Sequence, residues 1–161
     1  GMTYQEMADT FGDWNKAELN SFLIEITETV LRKIDDKTGK HLVEVILDTA
    51  GQKGTGKWTS QAAMDFGVPV PTIDSAVTMR QLSALKNERT AANSKFKIQK
   101  SKVGSNIEKL RNSLYASFII TYAQGLSLLK IASVEKNYGI DLIEVAKIWR
   151  GGCIIRATLL E

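Results

Sequence analysis

The amino-acid sequence predicts an all-α domain. Apolar residues recur at helical spacing along most of the chain, and side chains that cap helix N-termini precede several of these stretches. One short apolar run, Leu42 to Leu47, fits a strand as well as a helical turn. We therefore expect a multi-helix domain that spans residues 1–161 and packs around a long central helix near residues 107–136.

Two helices are expected in the N-terminal part of the chain. Thr3 and Glu6 have the spacing of a capping box, which predicts a short helix that runs to about Phe11. Asn15 is expected to cap a second helix, because apolar residues follow it at helical spacing as far as Ile34. The Asp-Asp-Lys-Thr-Gly sequence at 35–39 is typical of a turn and should end this helix.

Further helices are expected after the glycine-rich segment that follows residue 50. The predicted elements are a short helix from Trp58 to Phe66, a helix capped by Thr72 that runs to about Ala92, the long helix from Ile107 to Lys136, a helix from Asp141 through Ile148 that Gly151-Gly152 interrupts, and one more element between Cys153 and Leu160. The long helix contains an uncharged stretch that is broken by Asn, Ser, Thr and Gln, so we expect a buried core helix and no membrane span.

The composition is that of an ordinary globular protein. Hydrophobic residues make up 43% and charged residues 24% of the chain, and the formal net charge is +3. One cysteine excludes an internal disulfide, and one histidine excludes a metal site built from several histidines. Gly1-Met2 resembles a tag remnant before a start methionine, and no basic and apolar leader follows it, so we do not expect a secreted protein.

The segment Gly51–Lys57 has the residues of an anion-binding loop. Its glycines allow a tight turn that presents backbone N–H groups, while Lys53 and Lys57 add positive charge and Thr55 adds a hydroxyl. Phosphate suits such a loop, although a solvated turn whose lysines point into water fits the same residues. The segment also approaches the Walker A pattern, but Trp58 stands where that pattern needs Ser or Thr to hold magnesium, which argues against a nucleotide hydrolase.

Arg80 is expected on an otherwise apolar helix face. That face carries, in steps of four, three and four residues, Ile73, Val77, Arg80 and Ala84. A buried arginine needs an anionic partner. The partner could be an internal carboxylate, such as Asp74 or Glu88, or a bound phosphate held by the guanidinium fork, and the residues alone leave both possibilities open.

Residues 94–106 are expected to form an exposed loop that contains lysines and no acidic residue. Nucleic-acid binding by this loop is conceivable, but one short basic loop is weak evidence for it, so we expect no nucleic-acid partner.

Several segments together resemble 6-phosphogluconate dehydrogenase. They follow the order of that family and cover nearly the whole chain: WNKAEL at 14–19, SFLIEIT at 21–27, AGQKGTGKWT at 50–59, GVPV at 67–70, LSALKNER at 82–89, LYAS at 114–117, TYAQG at 121–125 and IWRGGCIIR at 148–156. The AGQKGTGKWT segment argues against the related β-hydroxyacid dehydrogenases.

The resemblance implies an oxidoreductase family of the pentose phosphate pathway. Its members oxidise 6-phosphogluconate with NADP and decarboxylate it to ribulose 5-phosphate, as cytosolic homodimers with an N-terminal Rossmann domain and a larger helical domain. Lys53, Thr55 and Arg80 match the family's phosphate-binding lysine, threonine and arginine. The glycine-rich loop and the arginine on the apolar face would then share one ligand.

The same resemblance implies that parts of the enzyme lie outside this sequence. No G-x-G-x-x-G follows a strand, no His-Asn-Gly-x-Glu-Tyr motif marks the family's catalytic lysine and glutamate, and the family's C-terminal tail would lie beyond Glu161. We therefore expect a helical fragment with no catalytic residue, no metal site and no bound NADP, which binds 6-phosphogluconate or phosphate weakly. The alternative is a non-catalytic helical module for assembly or dimerisation.

Overall fold

The computed structural model describes residues 1–95 and 106–161. The α-helices in these residues are α1 (Tyr4–Asn15), α2 (Phe22–Arg32), α3 (Leu42–Val45), α4 (Thr55–Asp65), α5 (Pro71–Ala84), α6 (Lys86–Lys95), α7 (Ile107–Glu135) and α8 (Leu142–Gly152). A short 3-10 helix, Thr158–Leu160, follows α8. The described residues form isolated β-bridges but no strand, so the all-α prediction is confirmed and the Leu42–Leu47 run contains a helical turn.

The described residues divide into two compact units. The first contains residues 1–46, 106–115 and 141–161, and the second contains residues 47–95 and 116–140. Helix α7 therefore gives its first part to one unit and the rest to the other. That residues 1–161 act as a single domain remains a prediction.

In the first unit, α1 begins with the predicted capping box. The Glu6 N–H donates to Thr3 Oγ1 at 3.2 Å, and the Thr3 N–H donates to the Glu6 carboxylate at 2.7 Å. The backbone and hydroxyl hydrogen bonds from Thr3 hold the pKa of Glu6 below its ordinary value. The helix runs to Asn15, beyond the predicted end near Phe11.

Helix α2 begins at Phe22 and not directly after Asn15, as the sequence had predicted. The Ser21 hydroxyl accepts the hydrogen bond from the Ile24 N–H at 3.3 Å and so caps the helix. Asn15 Oδ1 accepts from the Ser21 N–H at 3.2 Å, so Asn15 holds the connection between α1 and α2. Asn15 and Ser21 are both good caps, and the sequence pattern could not choose between them.

Helices α1 and α2 pack closely at Gly12. A Cβ atom on Gly12 would lie 2.8 Å from a carboxylate oxygen of Glu28, and Ala8 on the same helix is fully buried. Arg32 at the end of α2 donates to Asp9 at 2.7 Å and to Glu28 at 3.0 Å. This arginine is therefore paired with carboxylates inside its own unit.

The second unit has its own small core. The buried members are Ala63, Val68, Val70 and Leu128, and Ala62, Phe66, Ile73 and Ile131 pack against them. The core joins α4, the start of α5 and the later part of α7.

The first turn of α5 is capped by a residue of α7. The prediction that Thr72 caps this helix is wrong, because the helix already begins at Pro71 and Val70 precedes it without a capping side chain. Gln124 of α7 instead accepts hydrogen bonds from the Thr72 N–H at 3.1 Å and the Ile73 N–H at 3.3 Å. A cap supplied from 52 residues away leaves no local sequence pattern.

The helix predicted from Thr72 to Ala92 is divided at Leu85 into α5 and α6. The Ser83 carbonyl accepts a hydrogen bond from the Arg89 guanidinium at 3.1 Å, where a continuous helix would use the N–H four residues on. Ser94 and Lys95, which were predicted to lie in a loop, belong instead to α6, and Lys95 is the last residue of that helix. Residues 96–105 of the predicted lysine-rich loop lie outside the described residues.

Helix α7 has the predicted extent but not the predicted burial. It runs from Ile107 to Glu135, and Leu128 is the one residue of it that is buried in the described structure. By length and composition alone this helix could cross a membrane, but one such helix is weak evidence for a membrane span. The apolar pattern predicted a buried core helix, but helical spacing alone does not show how deeply a helix is buried.

Helix α8 begins as predicted and ends later than predicted. The Asp141 carboxylate accepts from the Ile143 N–H at 2.8 Å and caps the helix. The predicted interruption at Gly151-Gly152 is wrong, because the last turn of α8 includes both glycines and the helix ends before Cys153. Glycine lowers helix stability without forbidding the helical conformation.

Candidate anion-binding site

A cavity of about 290 Å³ lies within the second unit, beside the start of α4. Its lining comes from the loop before α4, from the first turn of α4, from one face of α5 and from α7. The lining residues are Gln52, Lys53, Gly54, Thr55, Gly56, Ile73, Ala76, Val77, Arg80 and Thr121. The structure thus brings together all three residues that the sequence predicted for phosphate binding.

The N-terminus of α4 is open. Gly54 occupies the position before the helix, with φ at +107°, and makes no side-chain cap. The first backbone hydrogen bond of the helix runs from the Trp58 N–H to the Gly54 carbonyl at 2.8 Å. Within the described residues, no acceptor takes the N–H groups of Thr55, Gly56 and Lys57. Free amides and the positive end of the helix dipole make this a site that favours an anion.

Two glycines keep this helix start accessible. A Cβ atom on Gly54 would lie 2.9 Å from the Trp58 ring, and the positive φ at Gly54 already disfavours any other residue. A Cβ atom on Gly56 would lie 3.0 Å from Cγ2 of Val77, so the absence of a side chain at Gly56 lets α4 approach α5. The glycine-rich pattern therefore has a geometric reason at these two positions.

Lys53 and Arg80 bring positive charge to the cavity without a carboxylate partner. Lys53 is exposed and makes no ion pair with the described residues. Arg80 donates from Nη1 to the Gly51 carbonyl at 3.1 Å, and no carboxylate in the described structure pairs with it. The remaining donors of the guanidinium are suited to an oxyanion.

The prediction that Arg80 is buried is wrong, because its side chain is exposed at the cavity. The alternative of an internal carboxylate partner such as Asp74 or Glu88 is also contradicted, because Arg80 forms no ion pair with a carboxylate of the described residues. Asp74 accepts instead from the Ser60 hydroxyl at 2.6 Å. The face that the sequence identified is nevertheless shared: Ile73, Val77 and Arg80 all line the cavity. That helix face opens onto a cavity, whereas the sequence pattern had suggested a core.

The loop that carries Lys53 is anchored by residues that the sequence analysis gave no role. The Ala50 N–H donates to the Ser83 hydroxyl at 2.9 Å. Arg89 donates to the Asp48 carboxylate at 3.1 Å and to the Asp48 carbonyl at 2.7 Å. These partners lie 33 and 41 residues apart along the chain, so no spacing in the sequence points to them.

The chemistry of the lining favours binding. It supplies an ammonium, a guanidinium, hydroxyls and backbone amides, and it contains no carboxylate, imidazole or thiol that could act as a general acid or base. In the part of the chain that the structure describes, no group of three or more His, Cys, Asp or Glu side chains could hold a metal ion.

His41 and Cys153 lie in the first unit. His41 Nδ1 lies 3.0 Å from the Leu31 carbonyl and its ring packs against the Tyr4 ring, so this side chain has its partners inside its own unit. Cys153 is a half-buried free thiol.

Comparison with known families identifies the chain. The model of the family described as 6-phosphogluconate dehydrogenase, C-terminal domain, matches residues 1–161. The chain belongs to this family. The resemblance carried by AGQKGTGKWT, IWRGGCIIR and the other segments is therefore confirmed.

Relatives from distant organisms give the same result. The chain is similar to the decarboxylating 6-phosphogluconate dehydrogenase of Homo sapiens, with 51% identity over 165 residues, 99% of this chain and 34% of the human protein. It is also similar to the NADP(+)-dependent, decarboxylating 6-phosphogluconate dehydrogenase of Bacillus subtilis, with 49% identity over 166 residues, 100% of this chain and 35% of that protein.

A solved structure shares the fold. Plasmodium falciparum 6-phosphogluconate dehydrogenase, solved in its apo form and in complexes with NADP+ and with 6-phosphogluconate, superposes with a TM-score of 0.89 at 44% sequence identity. The match covers 99% of this chain and 36% of that one. The chain thus spans 34–36% of the length of the three proteins and corresponds to the C-terminal helical domain.

Proposed function

We propose that the open start of α4, together with Lys53, Thr55 and Arg80, binds the phosphate group of 6-phosphogluconate. The domain would act within an enzyme that oxidises and decarboxylates this substrate with NADP. The observation that carries the proposal is an uncapped helix N-terminus beside two cations that have no carboxylate partner among the described residues.

The three residues contribute in different ways. Arg80 offers a planar fork whose donors match two phosphate oxygens, whereas Lys53 contributes a compact charge on a flexible stem. Thr55 offers a hydroxyl in the first turn of α4, next to the amides that lack acceptors. A dianionic phosphate would therefore gain charge-assisted hydrogen bonds from both sides of the cavity.

The support for a binding role also limits what this sequence does alone. Hydride transfer and decarboxylation need a positioned cofactor and groups that move protons, and the cavity lining contains no carboxylate, imidazole or thiol for that purpose. We expect no NADP binding and no turnover by this 161-residue sequence. Formation of NADPH followed spectrophotometrically checks this, and turnover that disappears in Lys53→Ala would contradict it.

Isothermal titration calorimetry with 6-phosphogluconate and with gluconate tests the proposed function. The expected result is weak binding of 6-phosphogluconate and no measurable binding of gluconate, because gluconate has no phosphate for the site. Equal heats for the two compounds, or no heat for either, would overturn the phosphate site. The second result would favour a module that acts in assembly alone.

A specific observation favours assembly as a second role. Large apolar side chains of α8 are unusually exposed, with Ile143 at 69% and Ile148 at 70% of their full accessibility. Exposed apolar surface of this kind is typical of protein interfaces. We propose that the domain forms a homodimer in the cytoplasm. Sedimentation velocity should show a concentration-dependent dimer, and a monomer at every concentration would contradict this role.

A further inference from the structure

Arg89 of α6 anchors the loop of residues 47–53, the anion loop, to the junction between α5 and α6. Its Nη2 donates to the Asp48 carbonyl at 2.7 Å and to the Ser83 carbonyl at 3.1 Å, and its Nη1 donates to the Asp48 carboxylate at 3.1 Å. The Ser83 hydroxyl in turn accepts from the Ala50 N–H at 2.9 Å. One guanidinium and one serine thus connect the loop to the junction between α5 and α6.

The loop has little other support. Residues 47–53 adopt no regular secondary structure, so they lack the backbone ladder that would fix a helix or strand. In the described structure, their remaining long-range hydrogen bond is the one from Arg80 to the Gly51 carbonyl at 3.1 Å. The position of Lys53 and the start of α4 therefore depend on side chains of α5 and α6.

We propose that Arg89 is a positioning residue for the anion site. It sets the path of the loop so that Lys53 and the first N–H groups of α4 face the same bound anion. The proposal rests on the proposed function, because it concerns the same site. Arg89 does not line the cavity, so it would act through the loop and not by touching the phosphate.

The geometry requires an arginine. Its fork reaches two carbonyls and a carboxylate with two nitrogens, whereas a lysine ammonium at the same place could keep the Asp48 carboxylate but not all three acceptors. Arg89 Nε is buried and has no acceptor among the described residues, which offsets part of what the other bonds contribute to folding. The residue is therefore better placed to fix the loop than to stabilise the fold.

The test compares Arg89→Met with a matched control, Arg32→Met. The two arginine side chains have nearly the same exposure, 37% and 38%, and both form ion pairs, but Arg32 pairs with Asp9 and Glu28 in the first unit. Calorimetry with 6-phosphogluconate gives the Kd, and thermal unfolding gives the midpoint. Arg89→Met should weaken binding by about tenfold, while Arg32→Met should lower the midpoint at least as much and leave the Kd unchanged.

A double-mutant cycle with Lys53→Met separates positioning from general destabilisation. If Arg89 acts by placing Lys53, then Arg89→Met should weaken binding by less than about threefold once Lys53 is already replaced. An equal loss in both backgrounds would overturn the proposal. Should Arg89→Met fail to fold, Arg89→Lys takes its place, and its Kd for 6-phosphogluconate should lie between the Kd of the unsubstituted chain and that of Arg80→Met.

The failure of this inference and the failure of the proposed function give different results. If the unsubstituted chain binds 6-phosphogluconate and Arg80→Met removes that binding, but Arg89→Met and Arg89→Lys bind normally, the positioning role alone is overturned. If the unsubstituted chain does not bind 6-phosphogluconate, the proposed function fails and the positioning role fails with it.

Discussion

At the start of α1 nearby residues supply acceptors for the free N–H groups, whereas at the start of α4 none of the described residues does. Thr3 and Glu6 close the first turn of α1 reciprocally, with hydrogen bonds of 3.2 and 2.7 Å. Gly54 stands at the cap position that Thr3 occupies in α1, and it has no side chain to offer α4. Lys53 precedes Gly54, and the first turn of α4 contains no acidic residue, whereas the first turn of α1 contains Glu6.

The difference shows how one local structure serves two purposes. A helix N-terminus carries unsatisfied N–H groups and a partial positive charge wherever it occurs. When a nearby oxygen satisfies them, as Thr3 Oγ1 does, the turn is complete and contributes to stability. When glycine stands in place of the cap and cations gather around it, the same groups remain available to an external anion.

Loss of a cation at the α4 start should have the largest effect. Arg80→Met removes charge-assisted hydrogen bonds worth about 1.5–3 kcal/mol each, so the Kd for 6-phosphogluconate should rise by roughly 10- to 100-fold. Lys53→Met should act in the same direction. Lys57→Met is the control, because Lys57 is exposed and does not line the cavity. Equal effects of Lys53→Met and Lys57→Met in calorimetry would show that only net charge matters.

A Cβ atom at Gly54 should damage both the fold and the site. In Gly54→Ala the new atom meets the Trp58 ring at 2.9 Å and the residue keeps a φ of +107°, so urea unfolding should show a loss of about 1–2 kcal/mol. Gly51→Ala is the matched control in the same loop, with open space around its Cβ and no positive φ. A similar loss in both variants would mean that the conformation at Gly54 is not what this position requires.

Loss of the cap at α1 should affect stability alone. Thr3→Ala removes the oxygen that accepts from the Glu6 N–H, which typically costs about 1 kcal/mol of stability. The Kd for 6-phosphogluconate should stay as in the unsubstituted chain, since α1 contributes no residue to the cavity lining. A weakened Kd without a change in stability would break the distinction between the two helix starts.

Low pH should weaken the capping box of α1 by protonating Glu6. No such effect is expected in the lining of the α4 cavity, because that lining contains no carboxyl group. The pKa of Glu6 lies below its ordinary value of 4.5 in the folded chain, because Thr3 donates hydrogen bonds to the carboxylate. The stabilisation is therefore complete above that ordinary value and is lost as the pH falls through the lowered one. NMR titration of the Thr3 and Glu6 amides should show this transition. In Thr3→Ala the midpoint followed at the Glu6 amide should lie at higher pH, because the hydroxyl donor is lost. An unchanged midpoint in Thr3→Ala would contradict the capping contribution.

The sequence predicted features whose causes are local. The capping box at Thr3, the start of a helix at Asp141 and the extent of α7 depend on residues within a few turns of one another, and all three are present. The sequence also singled out the glycine- and lysine-containing segment Gly51–Lys57, and anion binding by this segment stays a prediction. The resemblance to one family then linked that loop to Arg80, and these residues do line one cavity.

The remaining features depend on contacts between distant residues. Gln124 caps α5 from 52 residues away, and Arg89 holds the anion loop from 41 residues away. Neither contact has a periodicity or spacing that a sequence reveals. Arg80 was predicted as buried because helical spacing identifies a shared face, but spacing cannot tell whether that face meets a core or a cavity.

Amide chemical shifts at the start of α4 test the central claim most directly. In an NMR titration with 6-phosphogluconate, the N–H groups of Thr55, Gly56 and Lys57 should shift together and saturate, because they would gain an acceptor that they lack in the described structure. Gluconate should leave them in place, and in Arg80→Met the same shifts should need a higher concentration of 6-phosphogluconate. If 6-phosphogluconate shifts other amides of the chain but leaves these three unchanged, the anion does not bind at the start of α4 and the account is wrong.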